Sequence, residues 1–255
     1  MVAYETAGST ARITINRPDR RNAINPEVVR GLASSLERAE QDETVSVAVI
    51  TGAGDKAFCA GGDLEGMSTE GRVRQHLERA DVGGLFEAMR ASRLPIIARV
   101  NGHALAGGFG LMLACDLVVA AEEADVGTPE IDIGLWPFMI TALIQRDVPR
   151  KVALEMMLTG KRMPVAEAHR WGFVNRVVGA ADLDSEVDAL AKDLSSKSPL
   201  IVQLGKKSFY EAEDMAVGQA LDYLSGMLTV CLESEDTIEG VTAFLQKRSP
   251  QWRSR

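Results

Sequence analysis

Residues 95–120 read PIIARVNGHALAGGFGLMLACDLVVA, and two apolar, β-branched runs in this stretch flank a glycine-rich segment. PIIARV (95–100) predicts a buried strand that breaks at Asn101, and the run at 117–121 predicts another. ALAGGFG (104–110) predicts the start of an apolar helix, whose first N–H groups have no partner inside the helix and point out of its end. Strand, helix and strand in this order indicate an α/β domain.

The rest of the chain extends the same pattern. ARITINR (11–17) alternates apolar and polar residues as a half-buried strand does, and VSVAVITG (45–52) is a β-branched run typical of a strand covered on both sides. FVNRVV (173–178) predicts a further strand. Asn25 can cap a helix that has proline at its first position and an apolar residue every four positions.

One segment of the sequence fits two different structures, and the C-terminal region follows a pattern of its own. Residues 66–84 are flanked by glycines, polar and weakly amphipathic, which fits a mobile flap over a pocket or a plain surface helix. From residue 195 the pattern is helical, and Ser234 followed by two acids starts a terminal helix. We therefore expect a catalytic core over 1–194 and a C-terminal helical region over 195–255.

Composition excludes several classes of protein. The chain has 255 residues, 46% of them hydrophobic and 25% charged, which is enough to bury a large core. A net charge of -8 argues against a nucleic-acid surface. No apolar run approaches the roughly 20 residues that span a bilayer, and the N-terminus has no signal-peptide profile, so we expect a cytoplasmic protein without a membrane partner. The three cysteines, Cys59, Cys115 and Cys231, have no metal-binding or disulfide spacing and are expected to act as small buried hydrophobes.

Chemistry is indicated by three segments. ITGAGDKAFCAGGDL (50–64) places glycines after a buried strand, where main-chain N–H groups are exposed, and ALAGGFG does the same at a helix start. Two N–H donors can thus converge on one oxygen atom. Glu130, in ADVGTPEIDIGLWP (124–137), is a lone carboxylate downstream of both. This layout can hold a carbonyl oxygen and move a proton beside it.

These segments together resemble the enoyl-CoA hydratase/isomerase (crotonase) superfamily. The resemblance also covers INRPDRRNAIN (15–25), LTGKRMPVAEAHRWGFVNRVV (158–178) and SEDTIEGVTAFLQKRSP (234–250), in the same order. It implies an α/β fold, a crotonase-like spiral of ββα units whose C-terminal helices serve trimer contacts, in a homotrimer or a dimer of trimers. It also implies an acyl-CoA substrate, with CoA present only as part of that substrate. No metal ligand set or further cofactor motif is found.

The resemblance assigns roles to individual residues. Gly62 and Gly107 would donate their N–H groups to the thioester oxygen, and Trp136 and Phe138 would form the wall of the acyl pocket or simply pack in the core. The residues expected along the CoA are Arg21, Ala23, Ile24, Ala60, Asp63 and Leu64. Arg21 is the candidate for the phosphates, with Arg20 and Lys56 in reserve, and Asp63 is expected to orient the loop backbone. Lys206 and Lys207 could also reach phosphate, although a solvated helix face is favoured for both.

The carboxylates decide which reaction is expected. Hydratases of this family use two glutamates, of which the second aligns with Glu130 and the first with Gly110, which has no side chain. Moving a double bond from the 3 to the 2 position needs only one group that takes a proton from C2 and returns it at C4, so isomerisation is favoured. A hydratase in which Asp132 or His76 replaces the missing group, and a non-catalytic acyl-CoA binder, are the alternatives. His103 is interpreted as second-layer packing.

Overall fold

The computed structural model describes the backbone of residues 1–63 and 72–254 and the side chains of residues 1–63 and 80–254. The strands within this part of the chain are β1 (Val2–Ala7), β2 (Thr10–Ile15), β3 (Val47–Gly52), β4 (Ala57–Cys59), β5 (Ile96–Val100), β6 (His103–Leu105), β7 (Leu117–Ala121), β8 (Asp125–Gly127), β9 (Met163–Pro164) and β10 (Arg176–Val178). The α-helices are α1 (Pro26–Gln41), α2 (Arg72–Ala91), α3 (Gly107–Leu113), α4 (Phe138–Asp147), α5 (Arg150–Thr159), α6 (Val165–Arg170), α7 (Leu183–Ser195), α8 (Pro199–Ala212), α9 (Val217–Glu233) and α10 (Glu235–Leu245). Short 3₁₀ helices lie at Pro18–Arg20 and Pro129–Ile133.

The described strands form two sheets. The larger has the order β1-β2-β3-β5-β7-β10, with β1 antiparallel to β2 and the other neighbours parallel. The smaller has the order β4-β6-β8-β9, with β4, β6 and β8 parallel and β9 antiparallel to β8. This mixed α/β architecture confirms the predicted fold class.

Strand β3 shows why its sequence is almost entirely apolar. Because successive side chains of a strand point to opposite faces, Ala48 and Ile50 enter the main core while Val47 and Val49 pack with residues of α7 on the other face. All six residues of β3 are buried. The prediction of a strand covered on both sides is confirmed.

Helix boundaries follow the capping residues. The Asn25 side chain accepts a hydrogen bond from the Val28 N–H at 2.9 Å, and Pro26 occupies the first helical position of α1. Ser234 caps α10 in the same way, accepting from the Thr237 N–H at 3.1 Å. Both predicted helix starts are confirmed.

The structure changes two element boundaries. The predicted strand at 173–178 is β10, which contains only Arg176–Val178, because Phe173 and Val174 are buried in the turn that follows α6. Of the segment 66–84, residues 66–71 lie outside the described part, and the backbone from 72 onward is helical. Helix α2 continues to Ala91 because Leu85, Phe86 and Met89 supply a buried apolar face beyond the glycines.

Two of the three cysteines are buried, as the sequence predicts. Cys59 and Cys115 are free and buried, and burial raises the pKa of the Cys59 thiol to about 12. Cys231 is half-buried. No helix in the described part of the chain is both long and apolar enough to cross a bilayer.

Candidate active site

Three neighbouring parallel strands of the smaller sheet carry the predicted catalytic residues at their carboxyl ends. Gly62 follows β4, Gly107 follows β6 and Glu130 follows β8. The register pairs Cys59 with Ala104 and Leu105 with Gly127, so the three chain segments leave the sheet at the same edge. Ligands of parallel sheets bind outside this edge.

The two glycine segments are in contact. A Cβ built on Gly107 would lie 3.7 Å from the Gly62 nitrogen and 3.8 Å from the Gly61 Cα. Nothing lies within 4 Å of the position where a Cβ on Gly62 would be, so the space beside this residue is open. The two glycine segments therefore lie side by side next to open space, and the convergence of their N–H groups on one oxygen atom stays a prediction.

The direction of each N–H group follows from its neighbours. Ile24 bridges to Gly62, donating to the Gly61 oxygen at 2.7 Å and accepting from the Asp63 N–H at 2.8 Å. In such a parallel bridge the N–H of the middle residue, Gly62, faces away from Ile24. Gly107 is the first residue of α3, where an N–H has no intrahelical acceptor. Within the described residues neither N–H donates a hydrogen bond.

Backbone strain is concentrated beside these donors. Ala106, which precedes α3, has φ 51° and ψ −129°, a conformation that costs a residue with a Cβ about 1–3 kcal/mol. It is held there because its N–H donates to the Gly127 oxygen at 2.8 Å and its carbonyl accepts from the Phe109 N–H at 2.9 Å. Gly61 opposite has φ 100°, and a Cβ on it would lie 2.6 Å from the Ala106 Cβ. Only glycine fits at position 61.

Glu130 is a half-buried acid with an unsatisfied oxygen. It lies in the 3₁₀ helix Pro129–Ile133, and its Oε2 is inaccessible to solvent and has no hydrogen-bond partner among the described residues. Desolvation raises the pKa of Glu130, an effect that the N–H of the same residue partly opposes. A carboxylate with one unsatisfied oxygen and a raised pKa can accept a proton more readily than an exposed one.

The space beside Gly110, the residue that the resemblance aligns with a hydratase glutamate, is filled by an apolar side chain. Gly110 is buried in α3, and a Cβ built on it would lie 2.1 Å from the Ile140 Cγ2 and 2.8 Å from the Ile140 Cβ. The Phe86 ring lies 3.4 Å from the same point. Position 110 thus has no room for a side chain while Ile140 keeps its place.

Asp132 and His76 were the proposed substitutes for the missing glutamate, and the structure describes the side chain of Asp132 but not that of His76. The Asp132 carboxylate lies over Gly160 at the end of α5, with Oδ1 2.9 Å from the position of a Cβ on that glycine. Two residues apart in a 3₁₀ helix, Glu130 and Asp132 point to different sides, unlike the same-side placement expected of an extended segment. The His76 side chain lies outside the described residues. His103 accepts from the Asp125 N–H at 3.0 Å, as a packing residue would.

The segment around residues 21–24, which is expected along the CoA, is hydrogen-bonded to the glycine loop at residues 60–63. Arg21 is exposed and left-handed with φ 50°, and its carbonyl accepts from the Ala60 N–H at 3.0 Å. Ala23 and Ile24 are buried beside this contact, which leaves their backbone rather than their side chains for a ligand. Lys56 is exposed, and Leu64 lies outside the described residues.

Arg17 and Asn22, which the sequence patterns did not single out, stabilise this contact by hydrogen bonds. The Arg17 guanidinium donates to the Asp63 carboxylate at 2.8 Å and to the Ala23 carbonyl at 2.6 Å, which agrees with the expected role of Asp63 in orienting the loop. Asn22 is buried and left-handed with φ 58°, and its amide donates to the carbonyl oxygen of Ala57 at 2.7 Å. Asparagine tolerates this conformation better than most residues, which is the signal that the sequence offered.

The two aromatic candidates for the acyl pocket, Trp136 and Phe138, differ in burial. Trp136 is half-buried and packs on the main core. Phe138 begins α4 and is 78% exposed, so it is not part of a closed wall within the described structure. Trp136 thus agrees with the alternative of simple core packing, Phe138 does not, and the acyl-pocket wall stays a prediction for both residues.

The prediction of a solvated face for the two lysines is wrong for Lys206. Its ammonium group is buried and donates to the Asp116 carboxylate at 2.7 Å and to the Leu94 carbonyl at 2.8 Å. Burial lowers the pKa of Lys206, and Asp116 opposes this change. Lys207 is exposed and lies 3.7 Å from Glu211. Lys206 therefore fastens α8 to the core instead of facing a phosphate.

Comparison with known proteins gives a consistent result. Residues 5–255 match the family model described as enoyl-CoA hydratase/isomerase. Carnitinyl-CoA dehydratase of Escherichia coli is 38% identical over 258 residues, which cover 97% of this chain and 96% of the relative. The corresponding enzyme of Proteus mirabilis is 34% identical, covering 98% of this chain and 97% of the relative.

Solved structures agree with these sequence matches. Human enoyl-CoA hydratase domain-containing protein 3 superposes with a TM-score of 0.95 at 32% identity, covering 98% of this chain and 99% of that chain. Enoyl-CoA hydratase of Mycobacterium smegmatis superposes with a TM-score of 0.94 at 32% identity, covering 98% of each chain. Among the described residues, no group of three or more His, Cys, Asp or Glu side chains is placed to hold a metal ion.

Proposed function

Because the chain belongs to the enoyl-CoA hydratase/isomerase family, we propose that it acts on an unsaturated acyl-CoA and moves the double bond from the 3 to the 2 position. The observation that carries this proposal is the contact between Gly110 and Ile140, which leaves Glu130 as the one acid of the family's pair. Water addition needs groups that both hold the water and shuttle its protons, whereas isomerisation needs a single proton carrier.

The proposed reaction uses the two N–H donors first. The thioester oxygen accepts from the Gly62 and Gly107 N–H groups, each of which contributes about 2.7–4 kcal/mol when negative charge develops there. Glu130 removes a proton from C2, and the electron pair of that C–H bond forms a dienolate whose charge rests on the thioester oxygen. The same carboxylic acid then returns the proton to C4, and the double bond is left between C2 and C3.

The environment of Glu130 supports its role in both steps. A general acid/base is most effective when its pKa lies near the working pH, and desolvation moves the pKa of Glu130 in that direction. The absence of a hydrogen-bond partner for Oε2 among the described groups leaves this oxygen able to accept the substrate proton.

A second candidate is hydration or dehydration at the same site. The named relatives that favour it are the carnitinyl-CoA dehydratases and the enoyl-CoA hydratases. This reaction would need a second proton-carrying group, and Asp132 lies over Gly160 on a different side of the 3₁₀ helix from Glu130. Isomerisation therefore fits the described geometry better.

The test offers the protein a 3-enoyl-CoA and crotonyl-CoA in separate assays. Both assays follow the absorbance of the conjugated 2-enoyl thioester. With a 3-enoyl-CoA we expect the absorbance to rise, and with crotonyl-CoA we expect it to stay constant. Glu130→Gln should abolish the rise, while Glu123→Gln, at an exposed carboxylate close in sequence, should not. Loss of crotonyl-CoA absorbance with no isomerisation would replace the proposal by hydration, and binding without either change would make the protein a non-catalytic binder.

We further propose that the exposed Arg21 binds a phosphate of CoA, with Lys56 nearby on the glycine loop as a second cation. The Arg21 carbonyl accepts from the Ala60 N–H, so the side chain leaves a turn that is attached to the glycine loop. Arg21→Ala should raise KM for acyl-CoA with little change in kcat, because the contact is distant from the reacting atoms. A fall in kcat at constant KM would contradict this role. No cofactor beyond the CoA of the substrate is proposed.

We also propose that the protein self-associates through its C-terminal helices. Helix α9 is rich in apolar residues but has none that are buried in the single chain, and its Leu221 and Leu228 are 63% and 58% exposed. Phe244 of α10 is 83% exposed. An apolar groove of about 590 Å³ also runs between α8 and α9. Large exposed apolar surfaces mark interaction sites, and we propose a homotrimer or a dimer of trimers. Analytical ultracentrifugation tests this, and a monomer at micromolar concentration would contradict it.

A further inference from the structure

The contact between α3 and α4 that supports the proposed reaction also gives Ile140 a role of its own, which the family match does not assign. Ile140, Leu143 and Ile144 form the buried face of α4, at the spacing that places residues on one side of a helix. Ile140 is the member of this face that covers Gly110, and it is 3% exposed. The glycine allows the branched side chain to lie directly on the α3 backbone.

This contact lies one helical turn from the Gly107 donor. Gly107 and Gly110 are three residues apart in α3 and therefore lie on neighbouring positions of one helix face. A polar side chain at position 110 would stand beside the proposed thioester oxygen. Ile140 and Phe86 occupy that volume with hydrocarbon, which offers a water molecule no hydrogen-bonding partner.

We propose that Ile140 determines reaction specificity. It fills the place of the second acid and of the water that such an acid would hold, and so restricts the site to proton transfer by Glu130. This inference rests on the proposed function, because it explains which of the family's reactions the site admits. Ile140 touches Gly110 and is not itself a catalytic residue.

The distances predict which substitutions can reopen the space. Ile140→Ala removes Cγ2 but keeps the Cβ atom that lies 2.8 Å from a Cβ at position 110, a distance that real contacts do not reach. Ile140→Gly removes both obstacles. A side chain at position 110 should therefore be tolerated least with isoleucine at position 140, better with alanine and best with glycine.

A double-mutant cycle measures this coupling without reference to activity. Gly110→Ala in the wild type should lower Tm by about 3–8 °C because the new methyl group overpacks the contact. In the Ile140→Gly background the same change should cost less than half as much. Ile144→Gly, at a buried residue one turn along the same helix, is the matched control, and Gly110→Ala should cost as much there as in the wild type. Equal costs in all three backgrounds would overturn the steric role of Ile140.

Activity then tests the consequence for the reaction. Gly110→Glu combined with Ile140→Gly should hydrate crotonyl-CoA at least about tenfold faster than the wild type, given the usual contribution of a positioned acid/base. A folded double variant that still isomerises a 3-enoyl-CoA but gains no hydration would overturn the specificity role. If the wild type hydrates crotonyl-CoA without isomerising, the proposed function fails and the specificity role fails with it, while the Tm cycle still reports whether Ile140 blocks position 110.

Discussion

Glu130→Gln should make the protein more stable and much less active at pH 7. The buried Oε2 atom of Glu130 lacks a hydrogen-bond partner among the described residues, and a buried polar group in that state costs about 1–3 kcal/mol. Glutamine is neutral and keeps the shape of the side chain, so it relieves the part of this cost that comes from charge. We expect a gain of about 1 kcal/mol in the free energy of unfolding, or about 2–4 °C in Tm for a chain of this size.

The pH dependence of this gain has a definite sign. Desolvation raises the pKa of Glu130 in the folded protein above the ordinary value of 4.5, so the folded state binds the proton more tightly than the unfolded state does. The wild type therefore carries the full penalty above the folded pKa and loses it as the pH falls toward 4.5. The difference in Tm between Glu130→Gln and the wild type should shrink over the same range.

Thermal unfolding of both proteins between pH 7.5 and pH 4.5 measures this difference, with Glu123→Gln as the exposed control. Turnover of a 3-enoyl-CoA at pH 7 should fall by about 10²–10⁴ in Glu130→Gln, the usual contribution of a general acid/base. The reasoning is refuted if the variant is no more stable at neutral pH, if its advantage grows on acidification, or if most of the turnover remains.

Three further changes test contacts around the site and the C-terminal helices. Gly61→Ala should cost roughly 2–4 kcal/mol, since φ is 100° there and the new Cβ would lie 2.6 Å from that of Ala106; an unchanged urea midpoint would contradict this. Lys206→Met should cost about 3–5 kcal/mol because it leaves Asp116 buried without its cation, and a Tm equal to that of the wild type would show that the pair is dispensable. Asp236→Ala should cost about 2–3 kcal/mol and expose the last residues to carboxypeptidase, because the buried carboxylate accepts from a serine hydroxyl and two tail N–H groups; unchanged digestion would argue against this anchor.

Local sequence patterns predicted the elements that depend on neighbours in the chain. The alternation in residues 11–17 became the half-buried β2, and the cap at Asn25 began α1 where expected. The approach of the two glycine segments was expected from their places after a buried strand and at a helix start, whereas the choice of Gly62 and Gly107 as donors came from the family resemblance.

Contacts between distant residues could not be predicted in the same way. Lys206 looked like a surface lysine on an amphipathic helix, but its partner Asp116 is 90 residues away in sequence. Phe138 was expected in the acyl pocket or in the core, but α4 exposes it in the single chain and places Ile140 on Gly110 instead. Such contacts depend on how helices pack against one another, which the spacing of residues along a single helix does not determine.

The close approach of Ile140 to Gly110 also limits how this protein can evolve. A mutation that introduced an acid at position 110 would arise in a background where the isoleucine still blocks it, and selection for folding would remove such a variant before any new activity appeared. The isoleucine must become smaller first, although that step brings no catalytic benefit of its own. The order of the two substitutions is therefore constrained, and an acid is hard to introduce at position 110.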